Sequence, residues 1–270
     1  MGPDLSGQRM LITGASSGIG RALAQQAASA GARVLLAARS GDKLDELVHS
    51  LRQKGGVAVA APTDLTDADQ RHRLLDLAED RLGGLDVLLN NAGVASWGHF
   101  AGGTEGILRQ VMEVNFFAPA ELIRAAVPML ARGTRPAVVN VASMCGRRAM
   151  PAWSEYSASK FALVGLTEAL RGELVRFGIE VLLIVPGLTR SDMSRHLLRN
   201  DGRARIEYDK GMRPEDVARA ILWSLVKRRR ETVLGWEARW ILFVNRLLPR
   251  LVDYLLARKV RKLYAGVSQP

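Results

Sequence analysis

The chain has 270 residues, of which 48% are hydrophobic and 24% are charged, which excludes wholesale disorder and is enough for one domain with a substantial core. Its one cysteine, Cys145, excludes an intrachain disulfide and a metal cluster held by thiolates. The formal net charge is +11, but eleven Lys/Arg and only three acids lie in residues 227–270, so the excess positive charge belongs to the C-terminal tail.

The sequence shows neither a secretory leader nor a membrane-spanning segment. Residues 1–10 contain an acid and no long apolar run, and nowhere do about 18 uncharged apolar residues follow one another. We therefore expect a cytoplasmic protein.

Short apolar segments alternate with longer segments of helical period along most of the chain. The predicted strands are 10–13, 33–38, 57–62, 85–89, 137–141, 180–185 and 232–234, and the predicted helices are 19–30, 43–54, 67–81, 105–132, 155–177 and 214–229. Near-continuous apolar strands that alternate with helices are typical of a parallel sheet covered on both faces. We predict an α/β fold, a doubly wound Rossmann domain over 1–235 with a mostly seven-stranded parallel sheet, followed by a helical C-terminal extension over 236–270.

The junction between the first strand and the first helix carries three glycines, Gly14, Gly18 and Gly20. Glycines at such a junction permit a tight turn and a close approach of the backbone to a pyrophosphate, which the helix N-terminus attracts. The spacing G-x-x-x-G-x-G differs from the usual dinucleotide fingerprint G-x-G-x-x-G, and a flexible glycine turn is the alternative. The position in the chain favours a dinucleotide-binding loop.

The second strand ends at Ala38 and is followed by Arg39. An acid at this point would bond the ribose hydroxyls of NAD, whereas an arginine can clamp a 2′-phosphate with two charge-assisted hydrogen bonds. A solvated arginine that caps a loop is the alternative. We predict NADP(H) as the cofactor.

Three residues in the middle of the chain are candidates for catalysis. Ser143 follows the fifth strand, and Tyr156 and Lys160 are four residues apart on one face of a predicted helix. A phenol with a pKa of about 10 is a poor base at neutral pH, but a nearby ammonium favours the phenolate and lowers that pKa. A surface pair explains an isolated Y-x-x-x-K equally well, but the order of the preceding motifs favours a catalytic role.

Taken in order, these motifs resemble those of the short-chain dehydrogenase/reductase family in its compact single-domain form, over about residues 8–235. The resemblance implies an enzyme that transfers a hydride between NADP(H) and a carbonyl or secondary alcohol, with no metal. It implies the catalytic residues Ser143, Tyr156, Lys160 and Asn115. It implies the cofactor-binding residues Thr13, Gly14, Ser16, Ser17, Gly18, Ile19, Gly20, Arg39, Asp64, Leu65, Asn91, Ala92, Gly93, Tyr156, Lys160, Pro186, Gly187 and Thr189.

The resemblance also assigns roles. Ser143 would polarise the substrate carbonyl and Tyr156 would act as the acid and base. Lys160 would bond the nicotinamide ribose and lower the pKa of Tyr156, and a carbonyl of Asn115 would hold a relay water. The remaining assignments are Asp64 to the adenine, Asn91 and Gly93 to the adenosine ribose, and 186–191 to the carboxamide. Relatives that prefer NADP often carry a basic residue where this chain has Ser17, so specificity would rest on Arg39, with Ser40 or Lys43 beside it.

Three segments are expected to surround the substrate, namely 96–98, 144–153 and 188–209. Their large apolar side chains are Trp97, Phe100, Met144, Met150, Trp153, Met193, Leu197 and Leu198. They suggest a small hydrophobic, lipid-like or steroid-like substrate, although ordinary packing selects the same residue types. Arg147 and Arg148 would meet an anionic substrate or remain solvated charges.

The resemblance implies a homodimer or homotetramer that pairs through segments 105–132 and 154–177. Two other functions are weighed against catalysis. A non-catalytic NADPH-binding regulator would tend to lose the serine, tyrosine or lysine, and all three are present. A nucleic-acid partner is not expected, because no binding motif accompanies the basic tail.

The tail over 236–264 is predicted to be amphipathic and divided at Pro249. The apolar stripe is Val244, Leu247, Leu248, Leu251 and Leu255, the interfacial rings are Trp236, Trp240, Tyr254 and Tyr264, and the basic clusters are 227–230 and 258–262. Arg246, Arg250 and Asp253 recur on another face and oppose insertion across a bilayer. The pattern favours peripheral association with the inner membrane face, while coverage of the substrate pocket or of a partner subunit stays open.

Overall fold

Residues 3–190, 193, 196–204 and 206–265 are described by the structure, which is a computed structural model. Seven parallel strands form one sheet in the order β3-β2-β1-β4-β5-β6-β7. The strands are β1 (Arg9–Thr13), β2 (Arg33–Ala38), β3 (Val57–Pro62), β4 (Val87–Asn90), β5 (Ala137–Val141), β6 (Glu180–Pro186) and β7 (Glu231–Leu234). The predicted doubly wound α/β fold with a seven-stranded parallel sheet is confirmed.

Helices cover both faces of this sheet. They are α1 (Gly18–Ser29), α2 (Gly41–Gln53), α3 (Ala68–Leu82), α4 (Glu105–Met112), α5 (Ala118–Leu130), α6 (Ser154–Glu173), α7 (Pro214–Val226), α8 (Trp236–Leu247) and α9 (Pro249–Leu263). Alternate residues of one strand serve opposite layers: Met10 and Ile12 join a core with α1, α2 and α7, whereas Leu11 joins a core with α3 and α5. This explains the near-continuous apolar strands of the sequence.

The single helix predicted over 105–132 is wrong. A π-helical turn at Glu113–Phe117 separates α4 from α5. Such turns add a residue and shift the main-chain carbonyls out of the regular hydrogen-bond ladder, and they occur mostly at functional sites. Helical period alone does not distinguish this insertion from a continuous helix.

An ion pair fixes the amino ends of the two central strands. The Asp86 carboxylate, just before β4, accepts hydrogen bonds from the main-chain N, Nε and Nη2 of Arg9 at 2.8, 3.0 and 2.7 Å. It also accepts one from the main-chain N of Thr134 at 2.6 Å. Burial by itself would raise the pKa of Asp86, but these hydrogen bonds outweigh it and hold that pKa below its ordinary value.

The C-terminal helices pack on the domain. Pro249 occupies the first position of α9, which confirms the predicted division of the tail, and Ala238 of α8 is buried. On α9, Asp253 forms an ion pair with Arg148 at 2.6 Å. Within the described residues, no helix combines the length and the hydropathy that crossing a bilayer requires.

We predict that Asp86→Asn lowers the free energy of unfolding by about 3 kcal/mol, because it leaves the Arg9 guanidinium with a neutral partner in a nearly buried position. Chemical denaturation at neutral pH measures this loss. Since the pKa is depressed in the folded state, the carboxylate stabilises the fold above its ordinary pKa of 3.8 and this contribution disappears as the pH falls further.

Glu121→Gln is the matched control, because Glu121 forms an exposed pair with Arg124 on α5. It should change the free energy of unfolding by less than about 0.5 kcal/mol. Equal effects of the two substitutions would contradict the structural role given to Asp86.

Candidate active site

The turn between β1 and α1 is built for a close approach of backbone to ligand. Gly14 and Gly18 have φ angles of +68° and +50°, in the left-handed region. A Cβ at Gly14 would lie 2.8 Å from the Cα of Ala92, and one at Gly20 would collide with the carbonyl oxygen of Gly14. The residue that precedes α1 is Ser17, whose backbone is extended. The N-terminus of α1 is therefore formed by Ser16, Ser17 and the first helical turn, which contains Ile19.

The buried Thr13 side chain ties this turn to the loop after β4. Its hydroxyl accepts hydrogen bonds from the main-chain N of Asn91 and of Ala92 at 3.0 and 3.1 Å. The Asn91 side chain donates back to the carbonyl oxygen of Thr13 at 3.1 Å. Thr13 therefore positions the loop, and Asn91 and Ala92 lie beside the glycine turn, whereas Gly93 lies next to Asn115 and Lys160.

The predicted adenosine end lies at the carboxyl ends of β2 and β3. Arg39 is exposed and pairs with no acid among the residues that the structure describes. One oxygen of Asp64 accepts bonds from the main-chain N and the hydroxyl of Thr66 at 2.9 and 2.8 Å, while Leu65 is buried. Ser40 and Lys43 are exposed nearby in the chain.

The three catalytic candidates come together at the carboxyl end of β5. Tyr156 and Lys160 are buried on one face of α6, with the Lys160 Nζ 5.8 Å from the centre of the Tyr156 ring. That Nζ donates to the carbonyl oxygen of Val141 at 3.1 Å. The Ser143 Oγ accepts from the main-chain N of Cys145 at 3.2 Å.

The expected depression of the Tyr156 pKa is wrong for the chain by itself. Burial raises the pKa of Tyr156 above its ordinary value of 10, Cys145 adds to the rise, and the Ser143 hydroxyl opposes it more weakly. Burial also lowers the pKa of Lys160 to about 8. Burial is thus the largest influence on the pKa of both side chains.

Asn115 lies in the π turn and is fully buried. Its side chain exchanges two hydrogen bonds of 2.9 Å with the main chain of Val94 and donates a third, also 2.9 Å, to the Ser159 Oγ. Ser159 in turn donates to the carbonyl oxygen of Tyr156 at 2.8 Å. The Asn115 side chain thus ties the loop after β4 to α6.

The loop after β6 lies on the same edge of the sheet. Pro186 ends β6, the main-chain N of Gly187 donates to the carbonyl oxygen of Leu234 at 2.9 Å, and Thr189 pairs with Met212 in a short bridge. Ser191, the last residue of the predicted carboxamide segment, lies outside the described residues.

A cavity of about 710 Å³ opens above these groups. Ser143, Tyr156 and Lys160 line it, and so do seven of the eight predicted apolar side chains; Leu198 does not. These seven are Trp97, Phe100, Met144, Met150, Trp153, Met193 and Leu197.

Helix α9 and the residue that follows it supply a wall of this cavity, so the alternative that the tail covers the substrate pocket is confirmed. The residues concerned are Leu256, Lys259, Val260, Leu263 and Tyr264. The signal was present as a second apolar stripe, since Val252, Leu256, Val260 and Leu263 recur at helical spacing. Tyr264, one of the predicted interfacial rings, lines the cavity, and its ring lies 5.7 Å from that of His99.

Neither Arg147 nor Arg148 offers a free charge to an anionic substrate. The Arg147 guanidinium lies 2.6 Å from Glu168 and 2.6 Å from Glu231, and Arg148 pairs with Asp253. Arg147 therefore connects α6 with β7, and Arg148 connects α9 with the domain.

The profile of the short chain dehydrogenase family matches residues 8–202. This chain belongs to the short-chain dehydrogenase/reductase family. Among its relatives, the uncharacterized oxidoreductase YxnA of Bacillus subtilis (strain 168) is 35% identical over 94% of this chain and 72% of that protein.

Two solved structures of family members share the fold. A short-chain dehydrogenase/reductase from Burkholderia phymatum in complex with NAD aligns with a TM-score of 0.83 and 26% identity, over 92% of this chain and 96% of that one. A short-chain dehydrogenase from Burkholderia cenocepacia in complex with NADP aligns with a TM-score of 0.77 and 29% identity, over 87% of this chain and 99% of that one. The chain is thus an oxidoreductase with a nucleotide-binding fold.

The residues of this dehydrogenase fit a nicotinamide dinucleotide. A Cβ at Gly14 or Gly20 would collide with main-chain atoms, so these two glycines keep the turn open, and α1 begins at this turn with the free N–H groups of its N-terminus. Each cofactor-binding position predicted from the sequence and described by the structure lies on the carboxyl edge of the sheet or in α1 or α6 next to it.

Proposed function

We propose that this dehydrogenase transfers a hydride reversibly between NADP(H) and the carbonyl carbon or secondary alcohol of a small hydrophobic substrate. The observation that carries this proposal is the convergence of Ser143, Tyr156 and Lys160 on one largely apolar cavity beside the glycine turn. A catalytic set at the carboxyl edge of a parallel sheet lies where such folds bind ligands.

Arg39 supports the choice of NADP(H) over NAD(H). Its guanidinium is exposed at the end of β2 and, within the described residues, no carboxylate competes for it. A 2′-phosphate would accept two charge-assisted hydrogen bonds from it. Asp64, with one carboxylate oxygen engaged in its turn, would bond the adenine through the other.

The chemistry assigns a task to each side chain around the reacting carbonyl. The bound nicotinamide supplies or accepts the hydride. Ser143 donates a hydrogen bond to the substrate oxygen, and Tyr156 donates the proton in the reduction and accepts it in the oxidation. Lys160 binds the ribose, and the main-chain carbonyl of Asn115 holds the water that returns a proton.

The proposal predicts that Tyr156→Phe lowers kcat by about a thousandfold or more, because only the proton donor is removed. The assay is NADPH oxidation, followed by ultraviolet absorbance, with a panel of hydrophobic ketones and aldehydes. NADPH affinity, measured by calorimetry, should stay within a factor of about three, since the phenol makes no more than one of many contacts.

Tyr254→Phe is the matched control, because Tyr254 is exposed on α9 and does not line the cavity. Its activity should equal that of the unmodified chain. Retained turnover in Tyr156→Phe would refute the role of Tyr156, and NADPH binding without turnover in the unmodified chain would favour a non-catalytic regulator.

The cofactor assignment predicts that Arg39→Asp lowers the ratio of kcat/KM for NADPH to that for NADH by about a hundredfold or more. The carboxylate repels the 2′-phosphate and can accept from a free ribose hydroxyl. Lys54→Asp makes the same change of charge just beyond α2 and should leave the ratio unchanged. An unchanged ratio in Arg39→Asp would mean that another residue discriminates.

We further propose a homodimer or homotetramer that pairs through α4, α5 and α6. Phe117 and Phe161 are exposed on these elements, and Gly165 leaves open space for a neighbouring helix. Light scattering on the eluted protein should give two or four times the chain mass of 29.5 kDa.

Phe161→Glu should shift this mass towards the single chain, because it places a carboxylate in the pairing surface. Val57→Glu, on the edge strand β3, is the control and should not. A single-chain mass for the unmodified protein would contradict the assembly.

A further inference from the structure

The two C-terminal helices carry apolar side chains on two opposite faces. The inner face lines the cavity and includes Leu256, Val260 and Leu263. The outer face, which we call the outer patch, consists of Trp236, Trp240, Phe243, Leu247, Leu248, Leu251, Tyr254 and Leu255, all exposed. On α9, a single helix about 10 Å thick therefore separates the cavity from the exposed Leu251, Tyr254 and Leu255.

The outer patch is continuous along α8. Trp236, Trp240, Phe243 and Leu247 recur at i, i+4, i+7 and i+11 and so form one stripe, while Ala238 on the opposite side is buried. Their exposed fractions run from 54% to 76%, far more than packing within the chain would leave. The stripe predicted from the sequence differs, because α8 ends before Pro249 and Val244 is half-buried.

The outer patch continues on α9 and becomes basic. Leu251 and Leu255 are followed at the same helical spacing by Arg258 and Lys262, both exposed. Residues 236–263 carry seven Lys/Arg and two acids, and one of those acids, Asp253, pairs with Arg148 on the domain. The charge around the outer patch is therefore strongly positive.

We infer that the outer patch docks on the surface of an anionic lipid bilayer and that a lipid-soluble substrate enters the cavity from that bilayer. Exposed tryptophans and leucines bordered by cations suit the boundary between headgroups and acyl chains. A second copy of the chain is the poorer occupant, because two such basic surfaces repel each other. The entry of a lipid-soluble substrate from the bilayer, which we call the delivery half of the inference, rests on the proposed function; the docking half does not.

The docking half is tested by sedimentation of the full chain with vesicles of pure phosphatidylglycerol or pure phosphatidylcholine. We expect pelleting with phosphatidylglycerol at low salt and much less with phosphatidylcholine. The variant Trp240→Gln/Leu247→Gln/Leu251→Gln should bind about tenfold or more weakly. These side chains do not line the cavity, so NADPH affinity should be unchanged and reports that the fold is intact.

The matched control, Val57→Gln/Val175→Gln/Phe177→Gln, removes three exposed apolar side chains elsewhere and should pellet like the unmodified chain. The variant Arg246→Gln/Arg250→Gln/Arg258→Gln should bind about a hundredfold more weakly at low salt, whereas Lys54→Gln/Arg73→Gln/Arg81→Gln should change binding far less. Equal binding by the outer-patch variant and its control would overturn the inference. The inference would also be overturned if the unmodified chain did not pellet with phosphatidylglycerol vesicles and the outer-patch variant had a lower oligomeric mass. That result would make the outer patch an interface between copies of the chain.

The delivery half uses one long-chain ketone, supplied either in phosphatidylglycerol vesicles or as a cyclodextrin complex. In the outer-patch variant, the rate of NADPH oxidation should fall about tenfold with vesicles and stay unchanged with cyclodextrin. An equal rate with both carriers would refute entry from the bilayer. If no ketone is reduced under any condition, the proposed function fails, while the sedimentation result still decides the docking.

Discussion

All seven strands of the sheet run in the same direction, and the position of every functional group depends on this constraint. Parallel strands need a helix between each pair, so all the carboxyl ends meet at one edge and the connecting loops there are free to bind ligands. The polar residues that follow β1, β4, β5 and β6 are distant in the chain and become neighbours only at that edge. The ion pair of Arg9 with Asp86 fixes the opposite edge, where β1 and β4 begin.

Two ionisable side chains of the cavity, those of Tyr156 and Lys160, are buried, and burial disfavours their charged forms. Tyr156 and Lys160 are both nearly inaccessible to solvent, so burial raises the pKa of the phenol and lowers the pKa of the ammonium to about 8. The Lys160 Nζ keeps a hydrogen bond to Val141, which offsets part of the cost of burial.

The tail joins two roles that the sequence offered as alternatives. The pair formed by α8 and α9 does not have one apolar and one polar face, because both its inner face and its outer face are apolar. Helix α9 turns one face to the cavity and the other to solvent, and the ion pair of Asp253 with Arg148 anchors it to the loop that follows Ser143. Closure of the cavity and binding of an external surface are therefore compatible properties of the same two helices.

The sequence by itself was sufficient for the fold class, the strand positions and the family, because buried parallel strands are continuous apolar runs and the glycine, Y-x-x-x-K and strand-end motifs are local. It also identified most of the residues that line the cavity. It did not reveal the π turn at Asn115, since a single inserted residue shifts the phase of the apolar pattern but leaves the segments on both sides helical in period. Nor did it reveal the state of Tyr156, because desolvation depends on everything packed around a group. The role of Leu256, Val260 and Tyr264 was decided by tertiary structure alone, because periodicity shows that a face is apolar, whereas only the folded chain shows what that face contacts.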